Sequence, residues 1–124
     1  MMSAEEFEKL VEGIFESLPE QFHSAIDNVR IIVEDYPSDE QVVRLKLPSR
    51  HHLLGLYQGV ALPFRNQWYG TNPVMPDTIT LFRKNIESVS SNEQHLIEKI
   101  REVLMHEIGH YFGMSEKEIR AAGY

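Results

Sequence analysis

The sequence contains no cysteine, and this absence excludes two kinds of covalent or metal support. Without thiols the chain can form no disulfide and can offer no thiolate to a metal ion. Any bound metal must therefore be held by histidine and carboxylate side chains. A chain of this composition also suits a reducing compartment, so the expected location is the cytoplasm.

Long apolar segments and basic residues are also scarce. No apolar run approaches the roughly 20 residues that a transmembrane helix needs, and residues 1–6 lack the basic start and apolar stretch of a secretory signal. The 12 basic side chains are outnumbered by 19 acidic ones, which gives a formal net charge of -7. This charge disfavours nucleic acid and anionic membranes as partners.

What is present is typical of a globular protein. The chain has 124 residues, of which 42% are hydrophobic and 25% are charged. A chain of this length can bury a core of its own. With no internal repeat or linker, residues 1–124 are predicted to form a single α+β domain.

An amphipathic helix is predicted at the N-terminus. Ser3 and Glu6 have the spacing of a capping box, in which each side chain bonds the other residue's backbone. Apolar residues then recur at helical spacing up to about Leu18. Pro19 suits the first turn of a helix, so a second helical segment is expected up to Asp27.

Three segments have the composition of β-strands: residues 29–34, 53–57 and 78–83. A turn is expected over residues 35–40, and a small sheet of three or four strands follows from this pattern. The segment 58–77, which contains Trp68, is predicted to be a long loop. Loops of this length often border a functional site.

The strongest helical pattern lies near the C-terminus. Ser91 and Gln94 have the spacing of a second capping box. The apolar side chains that follow have the periodicity of a long buried helix: Leu96, Ile97, Ile100, Val103, Leu104 and Ile108.

This helix carries the residues that indicate a metal site. His106 and His110 are separated by four residues, so their imidazoles can approach one metal ion from the same face of the helix. Glu107 follows the first histidine, where its carboxylate can reach a water molecule on the metal without binding the metal itself. A group so placed can take a proton from that water and later give it to a leaving amine.

A third protein ligand is expected just after the helix. Gly113 is a natural left-handed residue at a helix C-terminus, and a sharp turn there would return the chain towards the histidines. Glu116 is the first acidic residue after this turn. Three protein ligands leave the fourth position of a tetrahedral zinc ion open for water.

The segment HEIGHYFGMSE resembles the HExxHxxGxxD/E signature of the minimal zincin-like metallopeptidase family, which comprises small bacterial proteins. LLGLYQGVAL resembles that family's strand and following loop, and MPDTITLFRKNIE resembles the proline-aspartate start of an edge strand. The similarity covers roughly residues 31–118.

The resemblance implies a zincin fold: an N-terminal helix, a small mixed sheet and a C-terminal metal-binding helix. It implies that His106, His110 and Glu116 bind Zn²⁺ and that Glu107 is the catalytic base. The third ligand in the family is more usually aspartate. Because Glu116 has one methylene more, the neighbouring Glu118 could compete for this role.

Two functions are consistent with this sequence. The first is a zinc-dependent metallopeptidase that hydrolyses peptide or protein substrates with a metal-activated water, the substrate adding a strand along residues 78–83. The alternative is a non-catalytic zinc-binding module that acts in protein interaction. Tyr69, Arg120 and Tyr124 could stabilise an oxyanion only if the fold brings them near the metal.

Overall fold

The computed structural model describes residues 2–26, 29–59 and 77–124. These residues form six α-helices and three β-strands, numbered here in chain order: α1 Ala4–Glu16, α2 Glu20–Ala25, β1 Val29–Glu34, α3 Asp39–Arg44, β2 Gly55–Gln58, β3 Asp77–Phe82, α4 Arg83–Ser88, α5 Glu93–Tyr111 and α6 Glu116–Ala121. The predicted loop over residues 58–77, including Trp68 and Tyr69, lies almost wholly outside the described residues. None of the described helices is long and apolar enough to cross a membrane.

The sheet has three strands in the order β1-β3-β2. Strand β3 pairs in parallel with β1, from Val29 opposite Asp77 onwards, and antiparallel with β2, from Gly55 opposite Leu81 onwards. All but one of the residues of β3 are buried. The α+β architecture with a small mixed sheet is therefore confirmed.

The core lies between the sheet, α1 and α5. Helix α1 contributes one apolar stripe, and α5 contributes the periodic residues that the sequence indicates. The fully buried side chains include Phe7 of α1, Ile79 and Leu81 of β3, and Leu96, Ile100 and Leu104 of α5. This packing fixes the position of α5, and with it the end of the helix that carries the histidines.

The predicted role of the third strand was wrong. An edge strand and a bound peptide were expected at residues 78–83, but β3 hydrogen-bonds to a neighbour on each side. Its backbone groups are therefore already paired and cannot accept a further strand. Within the described ranges, β2 borders the sheet on the side nearest α5.

Some element boundaries also differ from those predicted. The capping box at Ser3 and Glu6 and strand β1 are confirmed. Helix α5 is instead capped by Asn92, whose side-chain oxygen accepts from the backbone N–H of His95 at 2.9 Å. The predicted box is absent because α5 begins one residue later than expected, and the side-chain amide of Gln94 donates to Glu98 at 3.3 Å.

Three short helices were not predicted. The turn predicted over residues 35–40 ends earlier than expected, since residues 39–40 already belong to α3, which begins after a capping box between Ser38 and Gln41. Helix α4 follows β3 without a connecting loop, so Arg83 belongs to a helix and not to a strand. Helix α6 begins after a third capping box, between Ser115 and Glu118. Six-residue helices are too short to show apolar periodicity in a sequence.

Candidate metal centre

The last two turns of α5 present both histidines to one side of the helix. The ring centroids of His106 and His110 are 5.2 Å apart, and both side chains are partly exposed at the edge of the core. Buried Val103, Leu104 and Ile108 anchor the same turns to the core. Because the opposite face of α5 is buried in the core, the positions of both histidines are fixed by the core packing.

The end of α5 directs the chain back towards these histidines. Gly113 has a φ of 84°, a left-handed conformation in which a side chain would be strained. The N–H of Gly113 donates to the carbonyl of His110 at 2.9 Å, and that of Met114 donates to the carbonyl of Gly109 at 3.0 Å. These two bonds form a Schellman motif, so the sharp turn predicted at Gly113 is present.

Helix α6 then packs closely across α5. A Cβ atom on Gly109 would lie 2.8 Å from Cγ1 of Ile119, which is closer than real Cβ contacts allow. Ile119 is only 1% exposed. The glycine within the HEIGH segment therefore lets α6 approach α5, and this approach brings the first turn of α6 to the histidines.

Glu116 is the acidic residue that reaches them. Its Oε1 lies 3.1 Å from Nε2 of His106 and 2.7 Å from Nε2 of His110. Glu118 faces elsewhere, because its Oε1 accepts from the backbone N–H of Ser115 at 3.0 Å in the capping box of α6. Of the two candidates left by the sequence, the structure brings Glu116 to the histidines and occupies Glu118 in a helix cap.

The donor set fits a zinc ion. One ligand atom each from His106, His110 and Glu116 lies within 4.8 Å of the others. Tetrahedral bonds of about 2.0–2.2 Å would place such atoms roughly 3.3 Å apart. Two imidazole nitrogens and one carboxylate oxygen also match the chemistry of an open, catalytic type of zinc site.

The partners of His106 support the same fit. Its Nδ1 lies 3.0 Å from the backbone oxygen of Tyr124, and its Nε2 faces the Glu116 carboxylate. Both partners are acceptors, so the ring either carries two protons or shares a cation with Glu116 on the Nε2 side. Burial opposes protonation, but the bonds to Tyr124 and Glu116 and the charges of Glu107 and Glu116 outweigh it and raise the pKa of His106.

The pKa values of Glu107 and Glu116 are shifted in opposite directions. Burial raises the pKa of Glu107, although the nearby histidines and a hydrogen bond from the Tyr57 backbone act in the other direction. Burial also opposes ionisation of Glu116, but hydrogen bonds and charges of both histidines outweigh it and lower its pKa. Glu116 is therefore suited to remain an anion, whereas Glu107 is suited to exchange a proton.

A cavity of about 860 Å³ adjoins this cluster. Its walls include the segment from Leu53 to Tyr57, which contains most of β2, together with Met114 and Arg120. Arg120 lies 3.8 Å from Glu116 through Nη2 and Oε2. The sequence indicated Arg120 and Tyr124 only conditionally, since nothing in their spacing shows that α6 folds back onto α5.

Comparison with known proteins decides the family. The model of the zincin-like metallopeptidase family matches residues 26–124. The chain belongs to this family. No curated protein matches the sequence.

A solved structure supports the fold of this family member. A conserved hypothetical protein from Thermus thermophilus is similar over 98% of this chain and 98% of its own, with a TM-score of 0.57 and 20% sequence identity. At this identity the similarity shows the fold alone. The family therefore supplies a metallopeptidase type of fold and a metal that is typically zinc.

Proposed function

We propose that the protein is a zinc-dependent peptidase. One observation carries the proposal: ligand atoms of His106, His110 and Glu116 converge beside a cavity, while the Glu107 carboxyl group is buried next to them without joining the cluster. A catalytic zinc site requires this separation between the ligands and a proton acceptor.

In this proposal His106, His110 and Glu116 hold the metal. When bound, zinc supplies Lewis-acid chemistry, since it polarises a carbonyl oxygen and makes water easier to deprotonate. The lowered pKa of Glu116 keeps its carboxylate ionised at neutral pH. The two imidazoles must be unprotonated on the nitrogen that faces the metal.

Glu107 is the proposed general base. It accepts a proton from the attacking water and then gives that proton to the amine nitrogen of the leaving peptide half, so that one water is consumed for each bond cleaved. Burial raises the pKa of Glu107. The shift is towards neutral pH, where a general base is most effective. The backbone N–H of Tyr57 donates to the carboxylate and favours its ionised form.

The substrate is proposed to be an extended peptide on β2. Residues 55–58 pair with β3 on one side, and among the described residues no strand pairs with the other side. The same strand forms a wall of the cavity that adjoins the candidate ligands. A peptide that lay along this strand would cross the cavity with its amide groups near the candidate metal centre.

The proposal is tested with a diverse peptide mixture. Zinc-loaded parent and Glu107→Gln are each incubated with the mixture, new termini are measured by mass spectrometry, and bound zinc is measured in both proteins. Gln keeps the size of the side chain but cannot accept the proton, so the rate should fall by about 10²- to 10⁴-fold while zinc content stays the same.

Other outcomes separate the two functions. A parent protein that binds one zinc ion per chain but leaves every peptide intact would favour the non-catalytic zinc-binding module. Equal cleavage by parent and variant would show that Glu107 is not the base.

A further inference from the structure

His106 is held from two sides by residues at the start of α6 and just after its end. Glu116, in the first turn of α6, lies against Nε2, and the backbone oxygen of Tyr124, just after the last turn, lies 3.0 Å from Nδ1. A backbone oxygen can only accept a hydrogen bond, so Nδ1 must carry the hydrogen. In the neutral ring this leaves the lone pair on Nε2, the nitrogen that faces His110 and Glu116.

The position of the Tyr124 oxygen is fixed by backbone geometry. The N–H of Tyr124 donates to the carbonyl of Ile119 at 3.1 Å, and that of Gly123 donates to the carbonyl of Arg120 at 3.0 Å. Together they form a second Schellman motif, with Gly123 in the left-handed conformation at a φ of 96°. Ile119 is itself buried against Gly109, so the turn is tied to the metal-binding helix.

We propose that the turn after α6 is a positioning element of the metal centre, in which the backbone oxygen of Tyr124 orients His106 and keeps Nε2 available to the metal. The inference rests on the proposed metal site and adds a group to it. Outer partners of this kind set the tautomer and the orientation of a ligand histidine, and their loss typically lowers metal affinity about 10- to 100-fold.

The test separates the backbone oxygen from the side chain. Gly123→Val should break the turn, because a β-branched residue strongly disfavours a positive φ, while nothing lies within 4 Å of the added Cβ to cause a clash. Tyr124→Ala removes the side chain and leaves the oxygen in place. Gly13→Ala is a second control, since its Cβ also meets nothing within 4 Å but its helix α1 is remote from the site in sequence.

Two measurements are made on each protein. Zinc affinity is measured by competition with a chromophoric chelator, and the Nδ1–H proton of His106 is followed by NMR in the zinc-loaded state. Gly123→Val should lose about 10- to 100-fold in zinc affinity, and its Nδ1–H signal should be lost to exchange with water. Tyr124→Ala and Gly13→Ala should keep both the affinity and the signal.

The three ways in which the inference can fail are distinguishable. Unchanged affinity and an unchanged Nδ1–H signal in Gly123→Val would overturn this inference while leaving the metal site standing. An equal loss in Tyr124→Ala would assign the effect to the side chain and also overturn it. A parent protein that binds no zinc would remove the proposed function and this inference together.

Discussion

The two sides of helix α5 each face a glutamate that is held in a different way: Glu107 on the side of β2 and Glu116 on the side of α6. On the β2 flank, Glu107 is 7% exposed and accepts a hydrogen bond from the backbone of Tyr57. On the α6 flank, the side chain of Glu116 is 54% exposed and is positioned by the Schellman turn at Gly113 and by the histidines themselves. The proposed base thus depends on the core, and the proposed ligand depends on local turns.

The pKa shifts follow this difference. Desolvation on the β2 flank raises the pKa of Glu107, whereas on the α6 flank the histidines overcome desolvation and lower the pKa of Glu116. Both flanks nevertheless use a glycine at the point of closest contact, Gly55 on one side and Gly109 on the other. Two carboxylates beside one pair of histidines can therefore have opposite pKa shifts when one is buried against the sheet and the other lies in an exposed helical turn.

The largest effect is expected on the α6 flank when the proposed ligand is neutralised. Glu116→Gln should lower zinc affinity by at least the roughly 10- to 100-fold that loss of an outer partner costs, because a direct ligand is lost. Glu118→Gln is the matched control, since glutamine also satisfies the capping box at Ser115. Chelator competition measures both, and a larger loss in the Glu118 variant would reverse the assignment.

The next largest effect is expected on the β2 flank. A Cβ atom on Gly55 would lie 2.6 Å from Cγ1 of Val103, which is buried, and 3.2 Å from Cγ of Glu107. Gly55→Ala should therefore cost about 1–3 kcal/mol of unfolding free energy in the metal-free protein. Urea denaturation measures it, with Gly13→Ala as an unobstructed control in α1. Equal stability of the parent and Gly55→Ala would show that β2 and α5 separate easily.

A smaller effect on stability is expected at the equivalent glycine of the other flank. In Gly109→Ala the clash with Ile119 is offset by the better helix propensity of alanine, which is worth about 0.8–1.0 kcal/mol. The unfolding free energy should change little, while displacement of α6 should lower zinc affinity about tenfold. Unchanged zinc affinity would mean that Glu116 reaches the histidines even when α6 does not pack closely against α5.

The smallest effect is a dependence on pH. In the metal-free protein the pKa of His106 is raised above 6.5, so its bonds to Tyr124 and Glu116 add stability below that value, and this stability is lost as pH rises through the folded pKa. Protons on the same ring oppose zinc. The difference in Tm between zinc-loaded and EDTA-treated samples should therefore shrink as pH falls towards about 6. A constant difference would exclude His106 as a ligand.

The sequence predicts the long elements and the local motif well. The long helix α5 carries the core residues at regular spacing, and Gly113 indicates the turn that follows it, because these signals lie within a few residues of one another. Strand order could not be predicted, since the pairing of β3 with both neighbours depends on contacts between distant segments. A nearly fully buried strand shows no alternation that would mark it as central or peripheral.

The site residues could likewise be predicted only where the signal is local in the sequence. The HExxH spacing indicates His106, His110 and Glu107, and the distance from Gly113 favours Glu116. Tyr124 could not be found from spacing, because its contribution is a backbone oxygen whose position depends on α6. That helix has only six residues, and its capping box at Ser115 is the one sequence signal that could have revealed it.

The Schellman turn at Gly113 also bears on the order in which the site assembles during folding. His106 and Glu116 are 10 positions apart and are brought together by one helix end. The Glu107 carboxylate, in contrast, meets the backbone of Tyr57, 50 positions earlier in the chain, and β1 meets β3 across a comparable separation. Long loops close more slowly than short ones. The three proposed ligands can therefore gather while the sheet is still forming, whereas the proposed base is in place only once the whole chain has folded.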